Sequence, residues 1–323
     1  MILNSSPLTS VVPRARKRRC SPSKTSRSVI TPRAYVNARS ELRGFSRKQK
    51  ESHSQSSPPE LQSHCACPLC STGRRRLLEA VVTTLFPNFA SNASDLGSDY
   101  TAMLNKVHPP RPDWYEEFYA SVLNNGMKSY EAEIAGYKSQ LFATLRGKVE
   151  NVLEIGIGTG PNLKYYAGDT GVHVIGIDPN KKMEKYALAS AADVGLPLTN
   201  FKFIQSVGEA LPLSDASVDA VVGTLVLCSV KDVDMTLKEV KRVLRPGGIY
   251  LFVEHVAAKD GTLLRVLQNV LDPLQRTIAD GCHLTRDTGK IISEAHFSGL
   301  DMDMAFLSSA FFVNPHLYGM ACK

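Results

Sequence analysis

Val149-Glu150-Asn151-Val152-Leu153-Glu154-Ile155-Gly156-Ile157-Gly158-Thr159-Gly160 decides the fold of this 323-residue chain. Residues 149–155 read as a buried strand that runs straight into a glycine-rich turn, and residues 162–166 read as the opening of a helix. Glycines between a parallel strand and a helix let a ligand approach backbone that a Cβ would shield, and they present N–H groups at the helix start. Their spacing separates one ligand class from another. A pyrophosphate seat of the dinucleotide type has glycine at the first, third and sixth positions, whereas Gly156, Gly158 and Gly160 take the first, third and fifth. A second short apolar strand, residues 173–178, ends in Asp178, where a carboxylate can accept hydrogen bonds from both hydroxyls of a ribose. The expected fold class is α/β, a Rossmann-like, doubly wound and mostly parallel sheet with helices on both faces.

The fifth-position glycine, with Glu154 ahead of the loop and Asp178 after it, matches the S-adenosylmethionine (AdoMet) version of the turn. A methionine ammonium needs a nearby anion and carbonyls rather than a nest of amides. A third strand over 201–205 leads into 206–212, the region that closes over an adenine. Val207 stands where an adenine-binding aspartate is common, which shifts adenine recognition to Gly208 and Glu209. The fourth strand begins near Ser217 and ends in Leu225-Val226-Leu227-Cys228-Ser229, so Leu225 falls at the topological switch of a doubly wound sheet, where ligands bind. Glu154, Gly156, Gly158, Gly160, Asp178, Gly208, Glu209 and Leu225 are the expected cofactor residues. Ahead of the first strand, Trp114 to Leu123 and Met127 to Leu145 repeat apolar residues at helical intervals and read as two amphipathic helices, with Tyr130 and Tyr137 as core aromatics or lining for a substrate mouth.

Charge is distributed unevenly. Residues 1–76 carry 16 Lys and Arg against three acids, a net +13, and the remainder is net −6 within an overall +7. The mildly acidic remainder removes the electrostatic case for binding a nucleic acid backbone. The first 76 residues also hold 15 serines, no aspartate and no sustained apolar period. That composition reads as a disordered plastid transit peptide, with stroma ahead of thylakoid lumen or mitochondrion. Residues 77–111 read as a linker or short helix and 112–323 as the catalytic domain. Arg74-Arg75-Arg76 ahead of an apolar stretch resembles a twin-arginine signal, but Glu79 and Pro87 break that stretch. No apolar run is long enough to span a bilayer; peripheral membrane contact and oligomeric state stay open. Seven cysteines without framework spacing favour a reducing compartment over disulfide stapling. Cys65, Cys67 and Cys70 beside His64 form the one metal-like cluster in the sequence, and they lack the second ligand pair of a structural zinc site, so no metal is expected.

Five further segments carry a more specific likeness. Thr224-Leu225-Val226-Leu227-Cys228-Ser229-Val230, Val243-Leu244-Arg245-Pro246-Gly247-Gly248, Glu254-His255-Val256-Ala257-Ala258, Asp280-Gly281-Cys282-His283-Leu284-Thr285-Arg286 and Pro315-His316-Leu317-Tyr318-Gly319 resemble the thiol S-methyltransferase group within the ubiquinone-biosynthesis-type AdoMet methyltransferases. The likeness covers residues 130–323. It implies a class I methyltransferase with a seven-stranded sheet whose last strand, near 317–322, is antiparallel. It also implies a small acceptor with a thiol or sulfide foremost, C- or O-methylation of a quinone or lipid-like ring being the alternative and a catalytically silent AdoMet-binding sensor a third. The animal members begin with a hydrophobic anchor where this chain has its basic head.

Methyl transfer from a sulfonium is an in-line displacement, so alignment and exclusion of water supply much of the acceleration. His255, just past the fifth strand, is the best candidate base because imidazole titrates in the useful range. Residues 263–278, interrupted by Asp272-Pro273, read as an insertion capping the pocket, and Asp280, Cys282 and His283 follow it as candidates to orient or activate an acceptor. Cys228 reads as a small packed hydrophobe.

Overall fold

Alternation of apolar side chains along the strands sets up two helical layers. The computed structural model describes residues 93–169 and 171–323; the basic head, the cysteine cluster near 64–70 and residues 77–92 of the 77–111 segment lie outside the described residues. Three helices come first, α1 (Ala93–Val107), α2 (Asp113–Gly126) and α3 (Lys128–Ala143). Then follow β1 (Asn151–Ile155), β2 (His173–Asp178), α4 (Met183–Asp193), β3 (Phe201–Gln205), β4 (Val218–Thr224), α5 (Val233–Val243), β5 (Leu244–His255), α6 (Leu263–Ile278), α7 (Thr288–Glu294), β6 (Gly299–Ala305) and β7 (His316–Cys322). The strands form one sheet in the order β3-β2-β1-β4-β5-β7-β6, with β1 to β5 parallel and β7 antiparallel to both its neighbours. This is the seven-stranded arrangement expected from the sequence.

Leu251 and Val253 of β5 pack into one layer with Ile134, Leu141 and Phe142 of α3 and Ala187 and Ala191 of α4. Tyr250 and Phe252, on the opposite face, join Leu237, Val240 and Val243 of α5 and Ile292 of α7. Period two in the strand meets period 3.6 in the helices on both sides, which is why these strands read as continuous apolar runs. Each fully buried leucine or phenylalanine contributes about 1.5–3 kcal/mol relative to exposure. Capping sets the helix starts: the Asp232 side chain accepts from Met235 N at 2.8 Å ahead of α5, and Thr262 Oγ1 accepts from Arg265 N at 3.2 Å ahead of α6.

The structure corrects several local expectations. Residues 162–166 form a single 3-10 turn, Leu163–Tyr165, rather than the start of an α-helix, because the chain breaks at Gly168 (φ 87°) and must re-enter β2 at His173. The fourth strand stops at Thr224. Leu225 takes φ 58°, and residues 226–229 close a turn through Ser229 N to Val226 O at 2.8 Å. Asp272-Pro273 does not interrupt α6, which is one helix with Pro273 inside it. Its Asp272 carboxylate is turned inward, and Leu263, Val266, Val270 and Leu274 are exposed along its outer face. Cys322 is disulfide-bonded, against the expectation of unpaired thiols, whereas Cys228 and Cys282 are free. Among the described residues no helix is long and apolar enough to cross a membrane.

Candidate active site

The strand order reverses between β1 and β4, which run parallel, and a cavity of about 1360 Å³ opens over the carboxyl ends of β1, β2, β4 and β5. Single small-molecule pockets measure roughly 300–1,000 Å³, so this one has room for two ligands together.

The first side of the cavity is the glycine loop. Gly156 has φ 62°, and a Cβ there would stand 2.5 Å from Val226 Cγ2, so only glycine leaves this edge open. Gly158 N donates to Asp178 Oδ2 at 3.0 Å, and Asn180 N donates to Asp178 Oδ1 at 2.9 Å. Burial outweighs these two donors and pushes the Asp178 carboxyl up to about 7. Gly156, Gly158, Asp178, Gly208, Glu209 and Leu225 all line the cavity, as expected for cofactor residues.

Two expected cofactor residues are not on the cavity wall. Glu154 is fully buried behind the loop, where Oε1 accepts from Asn162 Nδ2 at 2.7 Å and Oε2 from the Tyr166 hydroxyl at 3.3 Å. Strand alternation explains the miss, since Ile155 takes the cavity-facing position and Glu154 braces the turn from beneath. Gly160 lies against Leu163 and Ala187 and accepts from Ser190 Oγ, so it serves packing against α4. Glu209 reaches the wall with its carboxylate already engaged. Its Oε1 accepts from Lys231 N at 2.8 Å and Asp232 N at 3.3 Å, so it anchors the turn ahead of α5.

The sequence reading missed a cavity-lining pair on α3. Lys138, 1% exposed, donates to Glu131 Oε1 at 2.7 Å, and Glu131 Oε2 is buried without a partner. A carboxylate and an ammonium side by side match the zwitterion of a methionine moiety, and the orphaned oxygen is where its ammonium would donate. Only their helical spacing is visible in the sequence, and it reads equally well as a solvated i, i+7 pair.

The opposite side of the cavity is built by β5, the turn after β4 and the loop after α6. His255, Asp280, Cys282 and His283 all line it, and three residues converge there. His255 Nε2 lies 2.9 Å from Cys282 Sγ, and the ligand atoms of Cys228, His255 and Cys282 lie within 4.8 Å of one another. All three are buried, and His255 Nδ1 has no partner. The neighbouring Cys228 sulfur and the His255 ring hold Cys282 below the ordinary thiol range against the opposing effect of burial, whereas the Cys282 sulfur and burial together push Cys228 above it. Cys228 is therefore part of the site and not merely a packed hydrophobe. Its partners stand 27 and 54 positions downstream, a juxtaposition no spacing motif signals.

Three anchors hold this wall. Glu254, fully buried, accepts from Val226 N and Leu227 N at 3.0 Å each, and Arg286 donates to Leu227 O at 2.5 Å and Val230 O at 2.7 Å. Asp272 accepts from Leu284 N at 2.7 Å, which ties the 280–286 loop to α6. Asp280 does not meet the sulfur cluster. It pairs with Arg111 at 2.7 Å and His108 at 3.2 Å, so the segment between α1 and α2 roofs the cavity from beyond the boundary expected at 112. His283 is half-buried with Nδ1 3.9 Å from Asp272, and its backbone N donates to Cys228 O at 2.9 Å.

A doubly wound seven-stranded sheet with antiparallel β7, a G-x-G-x-G turn and a ribose-side aspartate defines a class I AdoMet-dependent methyltransferase. The comparisons with known proteins agree. A methyltransferase-domain family model matches residues 153–252. Thiol S-methyltransferase TMT1A of Homo sapiens is 43% identical over 203 residues, covering 60% of this chain and 81% of its own. Thiol S-methyltransferase TMT1B of Rattus norvegicus is 37% identical over 229 residues, covering 69% and 91%. A ubiquinone/menaquinone biosynthesis C-methyltransferase of Rickettsia prowazekii is 31% identical over 132 residues, covering 39% of this chain and 53% of its own. The chain belongs to the same methyltransferase family as the two TMT1 proteins, and it is an AdoMet-dependent enzyme.

Proposed function

We propose that this enzyme methylates the sulfur of a small, apolar thiol. The observation that carries the reading is the convergence of Cys228, His255 and Cys282 on the cavity wall opposite the glycine loop, where a buried imidazole and two sulfurs can favour the ionised form of a thiol. The names of the TMT1 relatives point the same way. Bound AdoMet supplies a methyl group on a sulfonium whose neutral thioether is an excellent leaving group. On the chain's side, Glu131 and Lys138 hold the methionine end, Asp178 the ribose and Gly208 the adenine edge. Tyr119, Leu123, Tyr130, Phe312 and Val313 exclude water around the acceptor. A free thiol ionises near ~8.5, so a modest shift by the His255 side yields thiolate at neutral pH.

Product formation from a panel of alkyl thiols, phenols and quinols tests this reading. Thioether formation from the thiols is expected, and turnover confined to phenols or quinols would sink the proposal in favour of ring methylation. The basic head is proposed to direct the protein to a plastid, on its composition alone. Fusing residues 1–76 to a fluorescent reporter checks it, and a reporter that stays in the cytosol refutes it.

A further inference from the structure

We propose that Cys228, His255 and Cys282 hold a zinc ion, and that the acceptor's sulfur takes its fourth coordination position. The proposal rests on the thiol reading above and specifies how that site activates its substrate.

Donor chemistry comes first. Two sulfurs and one imidazole nitrogen form a borderline-soft set that suits zinc, and three protein ligands with one position left for substrate is the pattern of catalytic rather than structural zinc. Geometry agrees. Tetrahedral zinc at about 2.3 Å from sulfur and 2.0–2.1 Å from nitrogen places its ligand atoms roughly 3.5 Å apart. The three atoms here all lie within 4.8 Å of one another, with His255 Nε2 and Cys282 Sγ at 2.9 Å, so shifts of a few tenths of an ångström to about an ångström complete the cage.

The three ligands come from three separate elements, and the fold holds those elements together independently of the ligand contacts. His283 N to Cys228 O joins the loop after α6 to the turn after β4, and Arg286 clamps the same turn through the carbonyls of Leu227 and Val230. Glu254, next to His255, fixes the turn from within the sheet through Val226 N and Leu227 N. Around the sulfurs stand the outer-shell donors that metal-bound thiolates attract: Gln275 Nε2 lies 3.6 Å from Cys282 Sγ, and Ser229 Oγ lies 3.6 Å from Cys228 Sγ. All three ligands line the cavity, so the open position faces the space left for the acceptor.

A bound zinc solves the chemical problem of a thiol acceptor at neutral pH. When the thiol binds, its S–H bond breaks, the sulfur's electron pair becomes the zinc–sulfur bond and the proton leaves to water. No electron changes hands. The sulfur is then held at a fixed point opposite the glycine loop with a lone pair still available, and the thioether product, a neutral and poorer zinc ligand, is free to leave.

Metal analysis and cobalt substitution of the full chain test the proposal. One zinc per chain is expected after desalting, and its removal with a chelator should lower thiol methylation by about tenfold or more. AdoMet affinity by calorimetry should be unchanged, and zinc should restore turnover. Cobalt in place of zinc should show thiolate-to-metal absorption that shifts on adding an alkyl thiol and stays put with the matching alcohol. Cys282→Ser and Cys228→Ser should each lose the metal while still binding AdoMet, which reports that they fold. Undiminished thiol turnover by a zinc-free chain would overturn the metal site and leave the acceptor reading intact. Zinc bound at these residues without thiol turnover would overturn the acceptor reading, and sulfur ligation with it. A cobalt spectrum indifferent to thiol would also overturn sulfur ligation.

Discussion

At the scale of one residue, Asp178 accepts through its carboxylate from Gly158 N of the glycine loop and from Asn180 N after β2. Burial holds its carboxyl up to about 7, and ribose hydroxyls donating to it favour the ionised form, so AdoMet binding below that pH releases a proton. The affinity should therefore rise with pH by up to about tenfold per unit from pH 5 to pH 7 and level off above. Calorimetry across that range in buffers of different ionisation enthalpy checks both the slope and the proton. Asp178→Asn should bind more weakly with a flat profile, and an unchanged slope would show that another group titrates. Gly156→Ala puts a Cβ against Val226 at positive φ and should destabilise the domain by about 1–3 kcal/mol, read from the urea midpoint, while weakening AdoMet binding. Leu225 shows the same economy in reverse. It is a non-glycine at φ 58°, held there by its N–H to Val253 O at 2.8 Å and placed where the cavity needs the strand to end.

Among elements, α6 and the loop behind it govern the acceptor side. The Asp272 carboxylate, inside α6 ahead of Pro273, accepts from Leu284 N, Thr285 N and Thr285 Oγ1, all from the segment that delivers Cys282. Asp272→Ala leaves these donors without a partner and should cost about 1–3 kcal/mol. It should also reduce kcat for methyl transfer far more than it changes AdoMet affinity, because the glycine loop stands on other strands; steady-state kinetics beside calorimetry separates the two. On α3, Lys138→Met should weaken AdoMet binding by about tenfold, the worth of one charge-assisted contact. Equal affinity in that variant would place the methionine end elsewhere.

For the whole molecule, the Asp280 bridge joins the N-terminal helices to the catalytic sheet. Burial pulls the His108 ring down, yet the Asp280 hydrogen bond and charge outweigh it and hold it above its ordinary value, while Asp280 is held below its own. A raised histidine stabilises fully below about pH 6.5 and loses that contribution as pH rises through its folded pKa. The depressed Asp280 loses its share only in acid, below the ordinary aspartate range. Hydrogen exchange in α1 and α2 should accelerate as pH rises past neutrality by more than the intrinsic base-catalysed rate, and Asp280→Asn should remove the excess. The sequence by itself determined the sheet and the methyl donor. Strand runs, the 156–160 glycine spacing and a carboxylate closing the next strand are local patterns, fixed by sterics within a few residues of one another. It also flagged His255, Asp280, Cys282 and His283 as residues of the acceptor side, with no means of seeing which of them meet. Only the tertiary structure turned Glu154 and Glu209 into braces, sent Asp280 to the roof and brought Cys228 to His255 and Cys282, because pairings across 8 to 172 positions depend on how strands and loops pack.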